Sequence, residues 1–135
     1  KPSGSLITFT SVDRPNETKV KSGKANLHKG PTMIRHIVLV KFQSGIKQDD
    51  ITSLFDALAN LGTLIPGMRG FNGGISVSPE NLEQGFRHGF CIDFDDAAAR
   101  DAYLEHPEHQ KLGGQLVGML DGGLSGLVVF DLEMA

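Results

Sequence analysis

Two runs of alternating apolar residues constrain the fold of this chain more than any other feature of its sequence. They span residues 34–42 and 86–94, and in both runs the even-numbered positions are apolar or histidine. Successive side chains of a strand point to opposite faces of a sheet, so each run predicts a strand whose even-numbered face is buried. Ile37 and Leu39 of the first run are also apolar. An antiparallel sheet with one face in water alternates more cleanly than this.

Helical patterns separate the predicted strands. Asp49 and Asp50 are expected to cap a first helix, and Asp95-Asp96 is expected to cap a second helix that runs to about Glu105. Pro107 suits the first turn of a helix and predicts a further helical segment. The four predicted strands are 34–42, 68–77, 86–94 and 124–132. The order β-α-β-β-α-β predicts an α+β, ferredoxin-like fold, with a four-stranded antiparallel sheet in the spatial order 4-1-3-2 and helices on one face.

Charge and cysteine content narrow the class of partner. Residues 1–32 hold six basic and two acidic residues, so with a total of -3 the remaining residues carry -7. This balance argues against nucleic acid or an anionic membrane as a partner of the folded part. A single cysteine, Cys91, excludes an intrachain disulfide and indicates a reducing, cytoplasmic location. No stretch has the roughly 20 apolar residues that a membrane span needs.

The composition changes near residue 33. We predict an N-terminal arm or leader at 1–32 and one folded domain at 33–135. Met33 has the character of a natural start of translation, and the segment before it is either a vector-derived leader or an upstream extension. We expect the apolar Leu6, Ile7 and Phe9 of this arm to pack against the domain or a neighbouring chain.

Apolar residues on the second sheet face predict a partner. We assign Ile37 and Leu39 of the first strand, and Leu127 and Val129 of the last, to this face. Monomers rarely expose an apolar patch of that size. A second copy of the same sheet would cover it and form a closed two-chain barrel, which buries on the order of 1,600 Å² or more. We therefore expect a homodimer.

Four segments of the chain resemble the stress-responsive dimeric A/B barrel family. They are 35–42, 85–90, 103–109 and 128–131. The segments occur in the order and spacing of the family, and the resemblance covers Met33 to about Glu133. It implies a ferredoxin-like protomer and an obligate dimer. Most members have no established activity, and one is a plant polyketide cyclase that closes a linear polyketide by an aldol step without a cofactor.

The resemblance also implies roles for four residues. His109 matches the general base of the cyclase and Tyr103 matches its partner, while His36 and His88 match the other histidines of the cavity. Taken alone, a histidine on an apolar strand face is more often a hydrogen-bonded packing group than a ligand.

The two strand histidines nevertheless predict a pocket. Both enter the layer between sheet and helices, where two polar rings require partners, water or a cavity. With Val38 and Phe90 beside them, His36 and His88 are expected to line an apolar pocket with few polar anchors.

The histidines near Pro107 allow other interpretations. His106 is predicted to have a structural role, capping the segment that Pro107 begins. His106 and His109 superficially resemble a pair of metal ligands, but Pro107 breaks the helical spacing and no further Cys/His set completes a site. The glycine clusters lack the form of a phosphate-binding loop. We expect neither a metal nor a cofactor.

Two functions are compatible with these features. The first is a dimer that binds a small apolar molecule without catalysis. The second is a cofactor-free lyase or cyclase that abstracts a proton from a small ketone or polyketide-like substrate, with His109 as base and Tyr103 as helper. The first helix lacks a tyrosine, so a polyketide substrate is less well supported than the reaction type. The two functions can be distinguished by whether His109 faces the same cavity as His36 and Tyr103.

Overall fold

The computed structural model of the protein describes residues 32–134. In this range the strands are β1 (Met33–Val40), β2 (Met68–Ile75), β3 (His88–Phe94) and β4 (Leu127–Met134). The helices are α1 (Gln48–Asn60), α2 (Ala97–Glu105) and α3 (Pro107–Gly118), with short 3-10 helices at Leu61–Thr63 and Gly123–Gly126. The packing predicted for Leu6, Ile7 and Phe9 lies outside the described residues.

The four strands form one antiparallel sheet in the order β2-β3-β1-β4, which confirms the predicted order. Ile34 of β1 pairs with Phe94 of β3, and Val38 pairs with Phe90. Directly paired residues share a face of the sheet, so the even-numbered positions of both strands lie together. That face is the core side, where Val40 is fully buried.

The three helices cover the even-numbered face. Helix α1 buries Leu54, Phe55 and Leu58 in the core, α2 buries Tyr103, and α3 buries Leu116. Their apolar spacing of three and four residues places these side chains on the helix faces that meet the sheet. Among the helices of residues 32–134, none has the length and apolarity that crossing a membrane requires.

The helix starts follow local signals with one exception. Asp96 caps α2 as predicted, because its side chain accepts a hydrogen bond of 2.9 Å from the backbone N–H of Ala99. The prediction for α1 was wrong, since Lys47 is the N-cap residue and makes no side-chain cap. Asp49 and Asp50 lie in the first turn instead, where negative charge still interacts favourably with the helix dipole.

The start of β2 and the end of β3 match the predicted residues, and the other strand ends differ from the predicted ends by one to three residues. The chain leaves β1 after Val40, and Phe42 makes only an isolated bridge to Leu120. Strand β3 begins at His88 because Gly85, with a φ of +91°, forms a turn just before it. Strand β4 begins at Leu127 because a 3-10 helix occupies the preceding residues.

The predicted face of β4 was wrong. Val129 pairs with Val38 and Leu127 pairs with Val40, so both point toward the helices rather than away from them. The sheet still has apolar residues on its other side, because the alternate positions of β4 are apolar as well. We call this other side the outer face, and its apolar residues include Ile37, Leu39, Val128, Phe130 and Leu132.

Core packing near the start of β4 can be tested with two leucines. Leu120 is 1% exposed and Leu124 is 71% exposed, although both lie in the segment between α3 and β4. We expect Leu120→Ala to lower the free energy of unfolding by about 2–5 kcal/mol, through lost burial and the cavity left behind. Leu124→Ala should change it by less than about 0.5 kcal/mol. Urea unfolding measures both, and equal losses would contradict this packing.

Candidate functional site

The junction between α2 and α3 positions the candidate site. His106 adopts an extended backbone between the helices, and its Nδ1 accepts a 3.0 Å hydrogen bond from the backbone N–H of Glu108. Pro107 occupies the first position of α3, where its missing N–H costs no helical hydrogen bond. The chain therefore changes direction at His106, and the first turn of α3 carries His109 back toward α2.

This change of direction brings three rings together. The centroids of the Tyr103 and His109 rings are 4.3 Å apart, and those of Tyr103 and His36 are 5.7 Å apart in an edge-to-face arrangement. Tyr103 also packs against Phe94 at 5.1 Å. Tyr103 is thus a buried ring between two imidazoles, one from β1 and one from α3.

A cavity of about 310 Å³ lies beside these rings, between the sheet and helices α2 and α3. Its polar lining residues are His36, Tyr103, His109 and Gln110, and no charged side chain lines it. The other lining residues are apolar or glycine, among them Val38, Leu58, Phe90, Leu116, Leu127 and Val129. A largely apolar cavity with a few converging polar groups is the usual form of a small-molecule site.

The ring of His109 lines this cavity, and its surroundings favour the neutral form, which can act as a base. Burial lowers the pKa of its imidazole, the Leu104 backbone opposes that shift, and the nearby His36 and His106 add to it. Its Nδ1 is buried and makes no hydrogen bond of ordinary geometry to any group in residues 32–134. The ring itself lines the cavity, and a neutral imidazole carries one nitrogen that donates a hydrogen bond and one that accepts.

Tyr103 keeps its proton at physiological pH. Burial raises the pKa of its phenol far above the usual value, because the low-dielectric surroundings disfavour the phenolate. A protonated phenol can donate a hydrogen bond to a carbonyl or enolate oxygen.

His36 is held by a hydrogen-bond network behind the cavity. Its Nδ1 lies 2.7 Å from Oδ1 of Asp131, and Nη1 of Arg100 donates a 2.7 Å hydrogen bond to Oδ2 of the same carboxylate. Burial alone would raise the pKa of Asp131, but the hydrogen bonds from Arg100 and His36 outweigh it and hold that pKa below its usual value. Asp131 is therefore a carboxylate at neutral pH.

His88 lies away from this cavity, which corrects the predicted common pocket. It pairs with Val40, whereas His36 pairs with Ile92, so the two imidazoles sit on one face at different positions along the strands. The His88 ring packs against Phe42 at 5.1 Å and lines a groove between α1 and β2. Burial and the nearby Arg87 charge lower the pKa of His88.

The sequence interpretation missed Asp131 and Arg100. One signal was available, because Asp131 follows four apolar residues of β4, and a carboxylate that is buried needs a partner. Arg100 gave no comparable signal, since it looks like any charged residue on an amphipathic helix. Within residues 32–134 no three His, Cys, Asp or Glu side chains converge as metal ligands.

The family model of the stress responsive A/B barrel domain matches residues 34–134. The chain belongs to this family. This A/B barrel protein is 38% identical over 93 residues to the stress-response A/B barrel domain-containing protein HS1 of Arabidopsis thaliana. The alignment covers 69% of this chain and 84% of HS1.

Two further similar proteins bear on the site and the assembly. Olivetolic acid cyclase of Cannabis sativa is 28% identical over 80 residues, which cover 59% of this chain and 79% of the cyclase. A dimeric ferredoxin-like protein of unknown function from Jannaschia sp. CCS1 has a TM-score of 0.71 and 34% identity, over 76% of this chain and 99% of that chain.

The lowered pKa of His109 predicts a pH effect on stability. A folded-state pKa below the unfolded value of about 6.5 gives stability that is present above that value and is lost as the pH falls through the folded pKa. We expect the free energy of unfolding to decrease from pH 7 to pH 5, by at most about 1.4 kcal/mol per pH unit for each such histidine. His109→Gln should make this decrease smaller. If His109→Gln showed the same pH dependence of stability as the wild type, that result would contradict the burial of a neutral His109.

Proposed function

We propose that this A/B barrel protein binds a small, largely apolar carbonyl compound in the cavity beside His36, Tyr103 and His109. The observation that carries the proposal is the convergence of these three polar rings on a cavity of about 310 Å³ that is otherwise apolar. Apolar walls favour a ligand of low polarity, and the few polar groups would fix its orientation. The absence of charged lining residues in the described part of the chain favours an uncharged ligand.

A second candidate function is cofactor-free proton abstraction at this site. His109 favours it, because its ring is at the cavity and burial keeps it neutral. In this proposal His109 removes a proton from the carbon beside the ligand carbonyl, and Tyr103 donates a hydrogen bond to the developing enolate oxygen. The similarity to olivetolic acid cyclase supports this chemistry, while the lack of a tyrosine in α1 argues against carrying over its substrate.

We further propose that the protein is a homodimer joined through its outer face. Phe130 is 55% exposed and Leu132 is 42% exposed on that face, and Leu39 and Val128 are also exposed. A contiguous apolar surface of this kind is typical of a subunit interface. The dimeric Jannaschia protein, which covers the same part of the chain, supports this assembly.

The dimer proposal predicts the effect of a charge on the outer face. We expect the wild-type protein to sediment as a dimer at low micromolar concentration and Leu132→Glu to shift it toward monomer, because unpaired carboxylates would be buried at the interface. Leu64→Glu is the matched control, since Leu64 is 52% exposed in the turn after α1. It should remain dimeric. A wild-type monomer in analytical ultracentrifugation would contradict the proposal.

The catalytic proposal predicts exchange of ketone protons. Acetophenone in deuterated water should lose its methyl proton signal faster with the protein than with buffer alone. We expect His109→Gln to lower the protein-dependent rate by about 10²–10⁴-fold and Tyr103→Phe to lower it by up to about 10³-fold. NMR follows the exchange directly.

The control for this experiment is His106→Asn. Asparagine can replace the cap at the start of α3, and His106 does not line the cavity. This variant should exchange acetophenone protons at the wild-type rate. Equal rates for wild type and His109→Gln would remove His109 from the chemistry, although ligand binding in the cavity could still be measured separately.

A further inference from the structure

The cavity presents a second imidazole whose role differs from that of His109. His36 comes from β1, is 3% exposed, and lines the cavity beside Tyr103. Its contact with Asp131 determines whether its free ring nitrogen donates a hydrogen bond to a ligand or accepts one.

The direction of the His36 hydrogen bond is fixed by its partner. An ionised carboxylate can only accept hydrogen bonds, so Nδ1 of His36 must donate across the 2.7 Å contact to Oδ1 of Asp131. In the neutral ring the proton therefore resides on Nδ1. Nε2 is then the ring nitrogen that remains for a group inside the cavity, and it is an acceptor.

Arg100 keeps the carboxylate in this orientation. Its Nη1 binds Oδ2 of Asp131, so the two carboxylate oxygens have different partners. Nε of Arg100 also donates a 2.8 Å hydrogen bond to Oδ1 of Asp101, which restrains the guanidinium further. The arrangement resembles the known use of a buried aspartate to set the tautomer of a catalytic histidine.

We propose that Asp131, fixed by Arg100, is a positioning residue that makes Nε2 of His36 the acceptor for a hydroxyl group of the ligand. This inference rests on the proposed function and extends it, because it assigns a donor group to the ligand. The preferred ligand class is an uncharged carbonyl compound that also carries a hydroxyl, with the two groups directed at different rings of the cavity.

The substitution Asp131→Asn tests the inference without changing the shape of the side chain. Arg100 would attract the amide oxygen, which leaves the amide nitrogen facing His36. That nitrogen only donates, so Nδ1 would have to accept and the proton would move to Nε2. Nε2 of His36, which accepts a hydrogen bond in the wild type, would then be a donor.

The tautomer is measured first, on ligand-free protein. In ¹⁵N NMR of labelled histidines, His36 of the wild type should show a protonated Nδ1 and an unprotonated Nε2, and Asp131→Asn should reverse them. Asp95→Asn is the matched control, because Asp95 also pairs with an arginine, Arg69, but does not line the cavity. It should leave His36 unchanged. A wild-type His36 protonated on Nε2 would overturn the inference.

Ligand preference is measured next with 4-hydroxyacetophenone and 4-methylacetophenone, which differ by one hydroxyl. We expect the wild type and Asp95→Asn to bind the hydroxyl compound about 3- to 10-fold more tightly, the effect of one hydrogen bond. Asp131→Asn should abolish this preference. If that variant does not fold, Arg100→Gln should lower the preference in its place.

The outcomes separate the two proposals. The role of Asp131 would be overturned if the wild type bound both compounds equally. It would also be overturned if the preference for the hydroxyl compound survived in both Asp131→Asn and Arg100→Gln. If neither compound binds, the proposed binding function fails, and the ¹⁵N measurement still decides whether Asp131 sets the His36 proton.

Discussion

Burial of polar rings in an apolar layer is the constraint on which this site depends. The layer between sheet and helices holds His36 and Tyr103 almost completely buried, and His109 at its edge. A buried polar atom without a partner costs about 1–3 kcal/mol, so each ring needs a defined partner. His36 has Asp131. The ring of His109 lines the cavity, where burial disfavours its charged form.

Much of the fold could be predicted because several local signals agreed. The alternation in β1 and β3 gave the correct shared face, and Asp96 and Pro107 marked the starts of α2 and α3. The face of β4 could not be obtained in this way, because its first four residues are all apolar and support either assignment. Its register depends on pairing with β1 and on the turn at Gly122 and Gly123, which both have positive φ angles.

The site was predictable only in part, because alternation gives the face of a side chain but not its position along the strand. His36 and His88 share a face, yet antiparallel pairing places them opposite Ile92 and Val40 respectively. Only His36 therefore lines the cavity with Tyr103 and His109. The link from His36 to Asp131 spans 95 residues and becomes visible only when β1 and β4 are paired.

The central claim is that the cavity beside the three rings receives the ligand, and methyl NMR with acetophenone tests it most directly. We expect saturable shifts for the methyl groups of Leu58, Leu116 and Val129, which line the cavity. Shifts confined to Ile51 and Ile75, in the groove beside His88, or to the outer face, with the cavity methyls unchanged, would contradict it.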